Sequence, residues 1–146
     1  MLFNKILVFL SNSSDNDILA EEMGELTRFS RGLLVAVRPK IISRDFPEDA
    51  SLNDLNIQAD EELKKFGKNT KLKEGKRLKL ENPQSRDLNS IVYSFIIEEN
   101  PDLVVIPYNL ILQKNIKNGF FEINRIQNIL IENRCSLLIW KNEKYI

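Results

Sequence analysis

The chain has 146 residues, 42% of them hydrophobic and 29% charged, a balance that supplies one core and leaves no room for two ordinary domains. Its 21 basic and 21 acidic residues cancel, so overall charge steers it toward neither nucleic acid nor an anionic membrane, and neither is expected as a partner. With no histidine and a single cysteine, Cys135, the chain is excluded from Ser-His-Asp and Cys-His catalysis, from histidine or cysteine-rich metal sites and from an internal disulfide.

No apolar run approaches the roughly 20 residues that cross a bilayer. The run near Met1 is too short for the core of a secretory signal, so the cytoplasm is the expected location. Residues 5–10 form a continuous apolar run after a lysine, the signature of a strand buried on both faces. The polar stretch Ser11-Asn12-Ser13-Ser14-Asp15 follows, with turn and N-cap chemistry. Leu19, Met23 and Leu26 then recur on one helical face, predicting a helix over 15–30 that ends near Gly32. Residues 33–37 read as a second buried strand, stopped by Arg38-Pro39.

Residues 40–50 read as a surface loop. Leu52, Leu55, Ala59, Leu63 and Phe66 define a second helix, with Ser51 and Asp54 placed as a capping box and Gly67 as its stop. A short strand is expected over 77–80, and Asn82-Pro83 breaks the chain again. Leu88, Ile91, Val92, Phe95 and Ile96 mark a third helix, ended by Asn100-Pro101. A strand over 103–106, a helix carrying Ile123, Ile126, Ile129 and Leu130, and a last strand over 137–140 complete the chain.

This alternation predicts an α/β fold: an open, doubly wound, Rossmann-like sheet of five parallel strands with helices on both faces, in one domain over 1–146. With strand order 3-2-1-4-5, the ligand cleft lies where the order reverses, beside residues 10–14 and 107–112. The cleft candidates are Ser11, Asn12, Ser13, Val37, Tyr108, Asn109, Gln113 and Asn124.

Lys-Ile-Leu-Val at 5–8, Asp-Leu-Val-Val-Ile at 102–106 and the segment running from Ile126 through Cys135 to Leu-Leu-Ile at 137–139 resemble, in order and spacing, the universal stress protein family. The resemblance spans essentially the whole chain and implies the adenine nucleotide alpha hydrolase-like fold. In its ATP-binding members the fourth strand is followed by Gly-x2-Gly-x9-Gly-(Ser/Thr). Glycines there let backbone amides approach phosphates, the last at a helix N-terminus. Laid on this motif without a gap, the chain has Leu110, Gln113 and Ile123 for the glycines and Asn124 for the hydroxyl; Gly119 is out of register. Ser11 stands where the family often has an aspartate, Pro107 for the glycine ending the fourth strand, and Ser136 for the proline of Cys-Pro-Val. The expectation is a chain that does not bind ATP in the family manner and carries no cofactor or metal.

The remaining features carry paired readings. Leu110, Ile111 and Leu112 either fill the vacated cleft or cover a partner, while Tyr108, Asn109 and Gln113 are placed to touch another small molecule. The serines at 11, 13 and 14 with Asn12 either cap the first helix or hold an anion there. The cations from Lys64 to Lys79 either form a solvated face, partly paired to the acids of 48–62, or touch nucleic acid or acidic lipid. Cys135 is either buried at the edge of the last strand or a redox-sensitive thiol.

The resemblance implies a homodimer through the last strand, with Leu137, Ile139, Trp140 and Tyr145 as interface candidates. An exposed edge strand is itself a pairing surface. Three functions follow: a non-enzymatic regulatory or interaction domain in stress response or signalling with an unknown protein partner, a sensor of a nucleotide or other small molecule in an altered cleft, and a cytosolic module of a membrane transporter.

Overall fold

The computed structural model describes residues 3–43, 45–47, 49–112 and 122–142. The first strand, β1 (Lys5–Phe9), is followed by α1 (Asn16–Ser30) and β2 (Leu33–Val37), and β3 (Lys40–Ile41) precedes α2 (Asn53–Thr70). Next come β4 (Leu78–Glu81), β5 (Gln84–Ser85) and α3 (Leu88–Glu99), then β6 (Leu103–Pro107) running directly into α4 (Tyr108–Leu112). A 3-10 turn at Ile123–Arg125, α5 (Gln127–Glu132) and β7 (Ser136–Trp140) end the described chain.

Five strands form one parallel sheet in the order β4-β2-β1-β6-β7. Renumbered without the two-residue strands, this is 3-2-1-4-5. Alternation along the strands splits the core into two layers. Ile6, Val8, Leu34, Ala36 and Val105 meet Leu19, Met23, Leu63 and Phe66 of α1 and α2. Leu7, Phe9, Val35, Val104 and Ile106 meet Ile91, Val92 and Ile96 of α3 and Ile129 and Leu130 of α5. Asp102 fixes the start of the central strand, its Oδ2 accepting from the Asn4 and Lys5 amides at 2.6 and 2.9 Å.

Several local expectations are corrected. Residues 40–50 are not all loop: Lys40 and Ile41 pair in parallel with Gln84 and Ser85, and Ile42 is buried. The capping box at Ser51 and Asp54 does not form, since Leu52 occupies the cap and Ser51 Oγ accepts from Asn56 instead. Gly67 does not stop α2, which continues to Thr70. A β-carbon there would stand 3.2 Å from Leu78 and Leu80 side chains, so the glycine lets β4 pack closely. The left-handed residues that end α1, α2 and α3 are Arg31, Lys71 and Asn100. Gly24 lies where α1 crosses α2; a β-carbon would fall 2.2 Å from the Thr70 carbonyl oxygen.

Candidate functional site

The carboxyl ends of β1 and β6 diverge at the reversal of strand order, where Leu10-Ser11 and Tyr108-Asn109 leave the sheet. Ser11 is buried, and its hydroxyl donates to Asn109 Oδ1 at 2.9 Å, bridging the crevice. The α1 side of that crevice is closed further by the end of β7. Trp140 Nε1 donates to Glu22, Lys141 Nζ lies 4.8 Å from the Tyr108 ring centroid, and Asn142 donates to Asp15 Oδ1 at 2.9 Å. What remains is a void of about 10 Å³ lined by Ser11, Ser13, Tyr108 and Asn109 among others, room for about one water.

Plain capping by the serines is also corrected. Asp15 occupies the N-cap of α1 without a side-chain cap bond, and Ser13 Oγ accepts from the Asp15 amide just ahead of the helix. Acids stand at the other helix starts at this end of the sheet, Asp54 on α2 and Asp87 on α3. The Asp87 carboxylate takes the Asn89 amide at 3.0 Å and the Ser90 hydroxyl at 3.0 Å. Negative side chains at helix N-termini compete with any anionic ligand for the same donors.

The α3 side keeps a cavity of about 180 Å³, walled by Leu10, Ser11, Asn12, Arg38, Leu88 and Leu110 among others. Arg38 escaped sequence reasoning, because a charge before proline at a strand end reads as a stop. Here it is buried, pairs with Glu62 and donates to the carbonyl of Pro39. Val37 is wholly buried in the layer under α3, so it does not itself line this cavity.

At the aligned phosphate-motif positions, Leu110 is buried and Ile123 is half-buried against the same apolar layer as Ile91, Ile126 and Ile129. Asn124 is exposed on the 3-10 turn. Gln113 and Tyr145 lie outside the described residues.

A five-stranded parallel sheet in this order, with the crevice at β1 and β6, has close counterparts among solved structures. A universal stress protein in complex with cAMP superposes with a TM-score of 0.63 at 13% identity, covering 96% of this chain and 98% of that one. Two structures from Archaeoglobus fulgidus agree. A universal stress protein in complex with dAMP gives 0.61 at 14% identity, covering 95% and 98%; a second gives 0.62 at 17%, covering 95% and 94%. The fold is that of the universal stress proteins. Neither a protein-family model nor a curated protein matches the sequence.

Among the described residues the outer edge of β7 pairs with no strand. Leu138 and Ile139 are exposed there and Leu137 is half-buried. Trp140 is turned inward instead, buried in the α1 layer, because its indole reaches Glu22. Cys135 is half-buried, and burial, aided by the nearby Asp102 carboxylate, pushes its thiol up to about 11. Among the described residues no helix is long and apolar enough to cross a membrane.

Proposed function

We propose that this chain is a non-enzymatic regulatory or interaction domain for stress response or signalling. It works as a cytoplasmic homodimer through β7 and does not take ATP in the manner of the nucleotide-binding proteins that share its fold. One observation carries the reading: Leu110 and Ile123, at the first and third glycine positions of the phosphate motif, contribute to the apolar layer beneath α3 and α5. A phosphate cannot approach backbone amides through a packed leucine. The absence of an enzyme activity is supported by the crevice chemistry, where the Ser11 hydroxyl faces an amide oxygen that is no base.

Calorimetry with Mg-ATP tests this directly. The expected result is no heat of binding at micromolar protein. A dissociation constant near or below about 10 µM, equivalent to about 7 kcal/mol, overturns it. Glycine restored together at 110, 113 and 123, with Asn124→Ser, is expected to recover some affinity, whereas any single restoration is not.

A second reading is favoured by the cavity beside Arg38. Its 180 Å³ and mixed lining suit a ligand smaller than the drug-sized molecules that fill pockets of roughly 300–1,000 Å³. Native mass spectrometry of the purified chain decides between the two. A retained small molecule supports the sensor, and a ligand-free dimer supports the interaction domain.

A further inference from the structure

The amino ends of the strands carry a feature that the neutral total charge conceals. Helices α1 and α2 both end there, and α1 contributes Arg28 and Arg31 while α2 and the loop after it contribute Lys68, Lys71, Lys73 and Lys76, all exposed. Two side-chain hydrogen bonds tie these segments into one surface. Arg28 donates to the Thr70 carbonyl at 2.6 Å, and Arg77, at the far end of the loop, donates to the Gly32 carbonyl at 3.1 Å.

The acids of residues 48–62 do not neutralise this surface. Glu62 pairs with Arg38 and Asp60 accepts from Asn82, while within the basic segment Lys65 pairs with Asp17 and Lys79 with Glu81 and Glu99. Among the described residues, none of Arg28, Arg31, Lys68, Lys71, Lys73 and Lys76 enters an ion pair. Helix-end electrostatics account for Arg28 and Lys68, which lie in the last turns. Arg31, Lys71, Lys73, Lys76 and Arg77 stand beyond those turns, opposed in the loop only by Glu74.

Phe29 is 78% exposed between Arg28 and Arg31. Leu26 and Leu72 pack against the core instead, so among the described residues this surface offers no apolar face to lie in a membrane interface. A lone exposed ring flanked by guanidiniums suits a base stacked on its face. Arg28 and Arg77, each anchored through one nitrogen on a backbone carbonyl, keep further N–H groups that can donate to a phosphate.

We propose that this surface binds single-stranded nucleic acid, its cations along the phosphates and Phe29 stacked on a base. The proposal does not depend on the regulatory reading above. Fluorescence anisotropy with a labelled 12-nucleotide oligouridylate and the full chain tests it. Binding is expected at 50 mM salt, weakening with a log-log slope of about −4 for six cations on a single strand. Lys71→Glu with Lys73→Glu and Lys76→Glu is expected to weaken binding at least tenfold, and Phe29→Ala about fivefold or more. Glu74→Lys is expected to tighten it, a gain that misfolding cannot mimic. No binding at 100 µM protein, equal affinity for a duplex of the same length, or affinity unchanged by charge reversal overturns the proposal. So does binding to phosphatidylserine vesicles with none to the oligonucleotide.

Discussion

The Ser11 hydroxyl and the Asn109 side-chain oxygen stand 2.9 Å apart, joining the loop that leaves β1 to the helix α4 that leaves β6 where the strand order reverses. A bond between residues so distant in sequence holds the crevice shut. Ser11→Ala is expected to cost about 1 kcal/mol of stability, and a double-mutant cycle with Asn109→Ala to show a coupling of similar size. Urea unfolding measures both; strictly additive losses would show that the bond contributes nothing.

Gly24→Ala inverts the usual rule for helices. Propensity alone favours alanine by about 1 kcal/mol, yet the new β-carbon would meet the Thr70 carbonyl at 2.2 Å. The expected outcome is a net loss of about 2–3 kcal/mol as α1 and α2 are forced apart. Gly75→Ala, at φ +87 with open space around it, is expected to cost only about 1 kcal/mol from backbone strain. Thermal melts of the two variants should separate clearly.

Glu99 supplies an acid limb to stability. Burial pushes its carboxyl up, but the hydrogen bond and charge of Lys79, with the charge of Lys5, outweigh burial and leave it below the ordinary 4.5. A carboxyl lowered on folding stabilises fully above its unfolded value, and that contribution fades as pH falls through the folded one. Lys79 is raised, chiefly by its hydrogen bond to Glu99, so its contribution holds below 10.5 and fades at higher pH. Glu99→Gln is expected to flatten the fall in urea midpoint as pH drops from neutrality past 4.5. An unchanged slope counts against the pair.

Cys135 is expected to resist alkylation. With its thiol pushed up to about 11, little thiolate exists at neutral pH. Iodoacetamide should label the native chain far more slowly than the urea-unfolded chain, with a rate still climbing at pH 9. Rapid native labelling would restore the redox reading.

The edge of β7 gives an assembly prediction. Light scattering is expected to report twice the chain mass of 17.0 kDa. Ile139→Lys, at a side chain 42% exposed, is expected to give a folded monomer, because a charge on an open edge blocks strand pairing. A wild-type mass of one chain at high micromolar concentration rules out the dimer.

The sheet was legible because its central strands are buried on both faces and read as unbroken apolar runs, as at Ile6–Leu10 and Val104–Ile106. The β3–β5 pair was not. Two residues in each strand set no period, and Pro39 and Pro83 beside them suggest breaks. Helix ends misled for a related reason. Gly67 matches a stop signal but serves close packing, while α1 and α2 end on Arg31 and Lys71, whose side chains do not announce a left-handed backbone; α3 ends at Asn100, as the sequence signalled. Helix α4 hid behind β6 because Pro107 and Tyr108 join them without a turn residue between. At the crevice, sequence register located Leu110 and Ile123, but not the Ser11–Asn109 bond, the burial of Arg38 or the inward turn of Trp140. Those depend on partners brought from distant segments, which local pattern does not encode.

The position of β1 bears on how the chain is made. It is flanked by β2 on one side and by β6 on the other, so its second edge has no mate until residues 103–107 have left the ribosome. At about 5–20 residues per second, that partner arrives about 5–20 s after Phe9 is synthesised. Through that interval an apolar strand keeps a row of open amides and carbonyls, the condition under which nascent chains stick to one another. The growing polypeptide is therefore most in need of a chaperone's shelter until residues 103–107 have emerged.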